Sequence, residues 1–216
     1  MIDLLELCKT SYETAVSKGW WDKPRTYAAL TLLMQSEISE ALEDYRNGKS
    51  LTAIWYENVP TKAPRCHCGA DHGEGCEVHH YIMADGRCTC TVDSKKPCGI
   101  PTEIADVIIR IADFCGHEKL ELFPVAGLED LPFDDALAMA TAEISKAYIQ
   151  LTQGVPVLAG NPQDSSHRWG IASSLSLAVQ RLVNMCLTNG IDIEKAIVEK
   201  AVFNKTRSTR HGGKKI

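Results

Sequence analysis

The chain of 216 residues is predicted to be all-α, a helical bundle interrupted by one small irregular insert. Two observations carry that prediction. Apolar residues recur at helical spacing over most of the length, and the strict alternation of half-buried strands is scarce. A third concerns the breaks. The stretch from Glu57 to Cys98 is poor in large apolar residues, "EKLELFPVAGLEDLPF" carries prolines at 124 and 132, and "QGVPVLAGNPQDSSHRWG" is rich in Gly and Pro. Helices are expected at roughly 2–18, 25–47, 101–117, 134–153, 169–188 and 192–206. Together they read as a single domain over 1–216, with the insert at 57–98.

An internal echo orders these helices. "SEISEALEDYRNG" (36–48) matches "AEISKAYIQLTQG" (142–154) in its Glu, Ile, Ser, Ala and final Gly. Each is followed by a break and an apolar helix, "EIADVIIRIADFCG" and then "LSLAVQRLVNMCLTNG". A duplicated helical hairpin is one reading, and chance likeness of two amphipathic helices is the other. The second copy has Lys146 where the first has Glu40.

The first copy places acids on the wrong side for solvent. On a wheel, Leu30, Leu33, Met34, Glu37, Ala41 and Asp44 form one stripe, with Glu40 at its edge. Glu43 drifts toward water. The helix at 101–117 is apolar nearly all round, so it should be buried, yet Glu103 and Asp106 share one face at its start. Buried carboxylates need a partner or a metal. Helix-dipole stabilisation capped by Thr102, or an Asp106–Arg110 pair, are the bland accounts. Convergence into a hard-oxygen Mg²⁺ site is the functional one.

The pattern E37-x-x-E40 with E103-x-x-D106, plus K200-x-x-x-N204-x-x-R207 and "RHGGK", resembles the MazG-like all-α nucleoside triphosphate pyrophosphohydrolases, the superfamily that includes the dimeric dUTPases. Phage-encoded members look most similar. The resemblance covers most of the chain outside the insert. It implies a MazG-like bundle and Mg²⁺-dependent hydrolysis between α- and β-phosphates, giving a nucleoside monophosphate and pyrophosphate. Glu37, Glu40, Glu103 and Asp106 would be the catalytic metal ligands. The long gap between the acid pairs and the degenerate second half depart from the family pattern.

Lys200, Asn204 and Arg207 fall at i, i+4 and i+7, a face suited to phosphates or to the helix's own dipole. Arg210, His211 and Lys214 flank Gly212 and Gly213 and are candidates to order over the phosphates. Trp21, beside Trp20, is a candidate to stack on a base, although packing is the commoner fate of a tryptophan.

The insert holds Cys66, Cys68, Cys76, Cys88, Cys90 and Cys98, with His67, His72, His79 and His80. So few apolar residues cannot build a core, and structural Zn²⁺ would supply the missing stability. Cys66, Cys68, Cys76, His79, Cys88 and Cys90 are the candidate ligands, with no particular four preferred; Cys98 is the weakest cysteine. Five Lys/Arg against six Asp/Glu between Glu57 and Cys98 argue against a nucleic-acid finger. Cys8, Cys115 and Cys186 read as core residues.

Composition agrees with a soluble protein: 44% hydrophobic, 24% charged and a net charge of −5. The net charge argues against nucleic-acid binding. No signal peptide is evident and no apolar run approaches the ~20 residues of a membrane span. A cytoplasmic enzyme acting on a nucleoside triphosphate is the expectation, with a homodimer or higher homo-oligomer as its candidate assembly. A non-catalytic nucleotide sensor, or a partner-binding module using the zinc insert, is the alternative.

Overall fold

A computed structural model describes residues 2–62, 79–82, 88–152, 165–207 and 209. Its elements in chain order are α1 (Leu4–Ser17), α2 (Tyr27–Arg46), β1 (Trp55–Lys62), β2 (His79–Ile82), β3 (Cys88–Cys98), α3 (Ile100–Glu118), α4 (Phe133–Thr152), α5 (Ser165–Thr188) and α6 (Ile193–Thr206). Helix dominates, as the periodicity predicts. The flanks of the insert are the exception. They form an antiparallel sheet of order β1-β3-β2, with Trp55 opposite Cys98 and His80 opposite Cys90. Its branched residues, Val59, Thr61, Ile82, Thr89, Thr91 and Val92, are interleaved with Cys, His, Lys, Asp and Pro and form no sustained alternation, so no strand signal stands out from sequence.

Local chemistry sets the helix ends. Asp3, Thr26 and Asp192 cap α1, α2 and α6, each side chain accepting from the backbone N–H three residues on. The start of α3 is different. Gly99 occupies its cap position at φ 117° with no side-chain cap, and Pro101 follows in the first turn. Thr102 does not cap; its hydroxyl donates to the Gly99 carbonyl at 2.8 Å. A Cβ on Gly99 would lie 2.5 Å from the Ala53 carbonyl oxygen, so only glycine lets the sheet run directly into α3.

α3 is the axis of the molecule. It packs against α1, α2 and α6, and Ile100, Ile104, Val107, Ile108 and Ile111 are wholly buried. α1 approaches so closely that a Cβ on Gly116 would come within 2.5 Å of the Cys8 carbonyl. Cys8, Cys115 and Cys186 are buried thiols in this core. Fully burying one such isoleucine is worth about 1.5–3 kcal/mol, which fixes α3 and the charges it carries.

The second hairpin, α4 and α5, packs on the first through α2 and α4, where Gln35 Nε2 donates to Ser145 Oγ at 2.8 Å. The two hairpins correspond in detail. Leu30, Met34, Ile38 and Ala41 of α2 match Ala136, Ala140, Ile144 and Ala147 of α4, all buried. Ile104, Ile108, Ile111 and Cys115 of α3 likewise match Leu175, Val179, Leu182 and Cys186 of α5, each 71 positions on. Both second helices end in a left-handed residue, Lys119 (φ 54°) and Gly190 (φ 69°), and the next N–H bonds back to the matching cysteine carbonyl. These shared ends accord with the duplicated hairpin.

Among the described residues, only α5 is long and apolar enough by composition to cross a membrane, against the sequence expectation that no such run exists. Here Leu175, Ala178, Val179, Leu182 and Met185 pack it into the bundle as a core helix.

Candidate functional site

The charged centre forms where α2, α3 and α6 meet. Glu37 of α2 and Glu103 and Asp106 of α3 bring one carboxylate oxygen each to within 4.8 Å of one another. All three are buried, at 6%, 7% and 9% exposure. Their burial follows from the wheel positions: Glu37 rides the stripe of Leu30, Met34 and Ala41, and Glu103 and Asp106 lie on a helix with no wet face.

Two internal cations meet these acids. Arg110 turns to Glu37 rather than to Asp106 one turn away on its own helix, with Nη2 and Nε at 2.6 and 2.9 Å from Oε1. Lys200 of α6, 1% exposed, places Nζ 2.9 Å from Asp106 and 3.9 Å from Glu103. Burial pushes Glu103 up to about 7, opposed by Lys200 and reinforced by Asp106 and Glu37. Burial likewise raises Glu37, opposed by Arg110. Burial pulls Lys200 down, but Asp106 and Glu103 outweigh it and hold it above its ordinary value.

Glu40 stands apart from the triad. It is exposed at the rim, and its charge still raises Glu37 and Glu103. Glu43 is exposed and pairs with Arg46 at 2.8 Å, and Asp44 is half-buried. The expected phosphate face of Lys200, Asn204 and Arg207 is divided. Lys200 turns inward as counter-ion, because a buried ammonium goes to the nearest carboxylates. Asn204 and Arg207 line a cleft of about 110 Å³ between α1, α3 and α6. Burial lowers Arg207, while Asp106 opposes the shift.

Trp21 departs from the base-stacking expectation. Its ring lies 3.6 Å from the His117 ring at an interplanar angle of 6°, and its Nε1 donates to Asp113 Oδ1 at 2.8 Å. Trp20 lines the cleft instead. Cys98 is buried, with Sγ 3.6 Å from the Lys96 carbonyl. Cys66, Cys68, Cys76, Arg210, His211 and Lys214 lie outside the described residues, and His79, Cys88 and Cys90 are placed only as backbone of β2 and β3.

Sequence reasoning passed over two cleft residues, Arg25 and Asp113. A signal for Asp113 existed: it is a third acid in the apolar α3, two turns beyond Asp106. Burial pushes it up to about 7, against the Trp21 hydrogen bond and the charges of Arg25 and Arg110. Arg25 had none, because it lies in the turn before α2.

No protein-family model, curated protein or solved structure matches the chain.

Proposed function

We propose that this chain is a Mg²⁺-dependent nucleoside triphosphate pyrophosphohydrolase of MazG-like type, releasing a nucleoside monophosphate and pyrophosphate. The observation that carries it is the buried triad of Glu37, Glu103 and Asp106, whose Asp106 lines a cleft together with Arg110 and Arg207. Three hard oxygens fit Mg²⁺, which keeps several waters and favours one or two carboxylates plus substrate phosphates. When bound, Mg²⁺ supplies Lewis acidity toward a phosphoryl oxygen and lowers the pKa of a water.

The chain's own residues do the rest. Arg207 lines the cleft beside Asp106, whose charge it feels, and neutralises phosphate charge with a planar fork. Lys200 fixes Asp106 and Glu103 so that their oxygens do not repel one another apart. Glu37 is held by Arg110, which leaves the exposed Glu40 as the carboxylate to take a proton from the attacking water. The insert cysteines and histidines hold Zn²⁺ as a structural staple, and metal analysis of gently purified protein should find zinc at a fixed ratio to chain.

A nucleotide sensor is the second reading, and one observation favours it. Lys200 and Arg110 already offset the triad's charge, as in a structural ion cluster. Pyrophosphate release measured with each NTP and dNTP plus Mg²⁺ separates the two. Release from at least one nucleotide, abolished in Glu40→Gln, is expected of the enzyme. Folded protein that releases none from any of them excludes hydrolysis.

A further inference from the structure

We propose that Glu37 and a phosphate group in the cleft compete for one guanidinium, that of Arg110, and that a divalent cation taking Glu37 hands Arg110 to the phosphate. This rests on the phosphate-binding reading of the cleft and adds to it how metal and phosphate binding are coupled.

Arg110 belongs to both places. It lines the cleft between α1, α3 and α6, and Glu37 does not. Its side chain is 30% exposed, against 8% for Glu37. Nη2 and Nε both donate to Oε1 of that glutamate, at 2.6 and 2.9 Å. A guanidinium and a carboxylate pair most strongly as a fork across both oxygens. A hold on one oxygen is a hold that phosphate, with several acceptor oxygens in reach of the same fork, can replace.

Packing does not require the pair. A glutamate and an arginine also stand at the matching positions of α4 and α5, as Glu143 and Arg181, and there Arg181 Nε has no hydrogen-bond partner. That hairpin buries the same apolar positions all the same.

The cleft calls for an anion. Five cationic side chains line it against two acids, Asp106 and Asp113. Burial lowers Arg207 and Arg25, and the charge of Arg110 pushes each further down, so Arg110 stands within repelling distance of both. An anion among them relieves that repulsion.

The other acids near Arg110 are engaged. Lys200 Nζ lies 2.9 Å from Asp106. Asp113 Oδ1 accepts from Trp21 at 2.8 Å, and burial pushes that carboxyl up to about 7, so near neutral pH it carries only part of a charge. Charge balance points the same way. Glu37, Glu103 and Asp106 are three carboxylates against two cations, Lys200 and Arg110. A divalent cation turns that deficit of positive charge into an excess, which a phosphate then meets.

The test is calorimetric titration of the intact chain with inorganic phosphate, without and with saturating Mg²⁺. In the parent chain Mg²⁺ should tighten phosphate binding at least about twentyfold. Arg110→Gln should cut that factor at least about fivefold, since direct attraction between metal and phosphate remains and the exchange is lost. Mg²⁺ alone should bind this variant no more weakly than the parent, because Glu37 has lost a competitor. Arg207 lines the same cleft, and among the described residues no ion pair ties it to Glu37. Arg207→Gln should therefore weaken phosphate in both conditions and leave the factor within about twofold. Arg110→Gln strands a buried carboxylate. If it fails to fold by circular dichroism, Glu37→Gln carries the test. That change should tighten phosphate binding without Mg²⁺ at least about fivefold, and adding Arg110→Gln should undo the gain. No saturable phosphate binding, an unchanged factor or weaker Mg²⁺ binding in Arg110→Gln, an equal fall in Arg207→Gln, or a Glu37→Gln gain that survives loss of Arg110 overturns the exchange. Coupling that depends on Arg110, in a protein that releases no pyrophosphate from any nucleotide, would sink hydrolysis and keep the exchange. Pyrophosphate release with the factor unchanged in Arg110→Gln would do the reverse.

Discussion

The two hairpins share a scaffold and differ in charge. In α2 and α3, Glu37, Glu103, Asp106 and Arg110 gather at one point with Lys200. The matching positions in α4 and α5 are Glu143, Ser174, Leu177 and Arg181. Glu143 and Arg181 stand at the positions of the Glu37–Arg110 pair, but Glu143 Oε2 and Arg181 Nε are among the buried atoms without a hydrogen-bond partner. Ser174 has turned to a neighbour, its hydroxyl donating to Gln150 Oε1 at 3.3 Å. The difference teaches that apolar packing alone maintains the hairpin, since both copies bury the same positions. The charges are an addition that the first copy holds, because α6 packs chiefly on α3 and its Lys200 pairs with the acids of that helix.

Breaking the first centre should give the largest effect. Asp106→Asn or Glu103→Gln should lower pyrophosphate release at least about a thousandfold, roughly 4 kcal/mol of transition-state stabilisation. Glu143→Gln in the second hairpin should leave the rate within about twofold. A comparable loss from Glu143→Gln would mean that both hairpins are sites.

Next comes stability. Lys200→Met strands two buried carboxylates and should cost about 3–5 kcal/mol in chemical denaturation without divalent cation. Mg²⁺ should restore a larger part in the variant than it adds to the parent chain, because the metal replaces the missing charge. Arg181→Met, at the matching position, should be nearly neutral.

Asp113 gives a pH signature that Asn184, its counterpart in α5, cannot. Its folded pKa of about 7 lies above the ordinary aspartate value of 3.8, so the protonated form favours the fold. That contribution is whole below about 4 and is lost as pH rises through about 7, on the order of 2 kcal/mol. Thermal unfolding of Asp113→Asn at pH 5 and pH 8 should show a shallower fall than the parent chain. Equal slopes would place the titration elsewhere.

The smallest effect concerns the helix ends. α5 ends on Gly190, whereas α3 ends on Lys119 in the same left-handed conformation. Arg168 Nη2 donates to the Glu118 and Lys119 carbonyls at 2.7 Å each and holds that end in place. Lys119→Gly should gain about 0.5–1 kcal/mol, visible as a higher denaturation midpoint. Gly190→Lys should lose a similar amount.

Periodicity alone determined where the six helices run, to within a few residues, because burial of an apolar face is written at fixed spacing. It also determined that Glu37, Glu103 and Asp106 face inward, since each lies on a line or helix that cannot be wet. The echo between 36–48 and 142–154 marked the pairing of the hairpins. The sequence did not reveal the strands that flank the insert, whose polar composition carries no alternation. Only the tertiary structure decided the charge partners. Arg110 goes to Glu37 across a helix interface, and Lys200 goes to Asp106 and Glu103 rather than to solvent. Helical spacing ranks neighbours along one helix. A buried charge, however, pairs with whichever opposite charge lies nearest in three dimensions, and packing alone sets that distance.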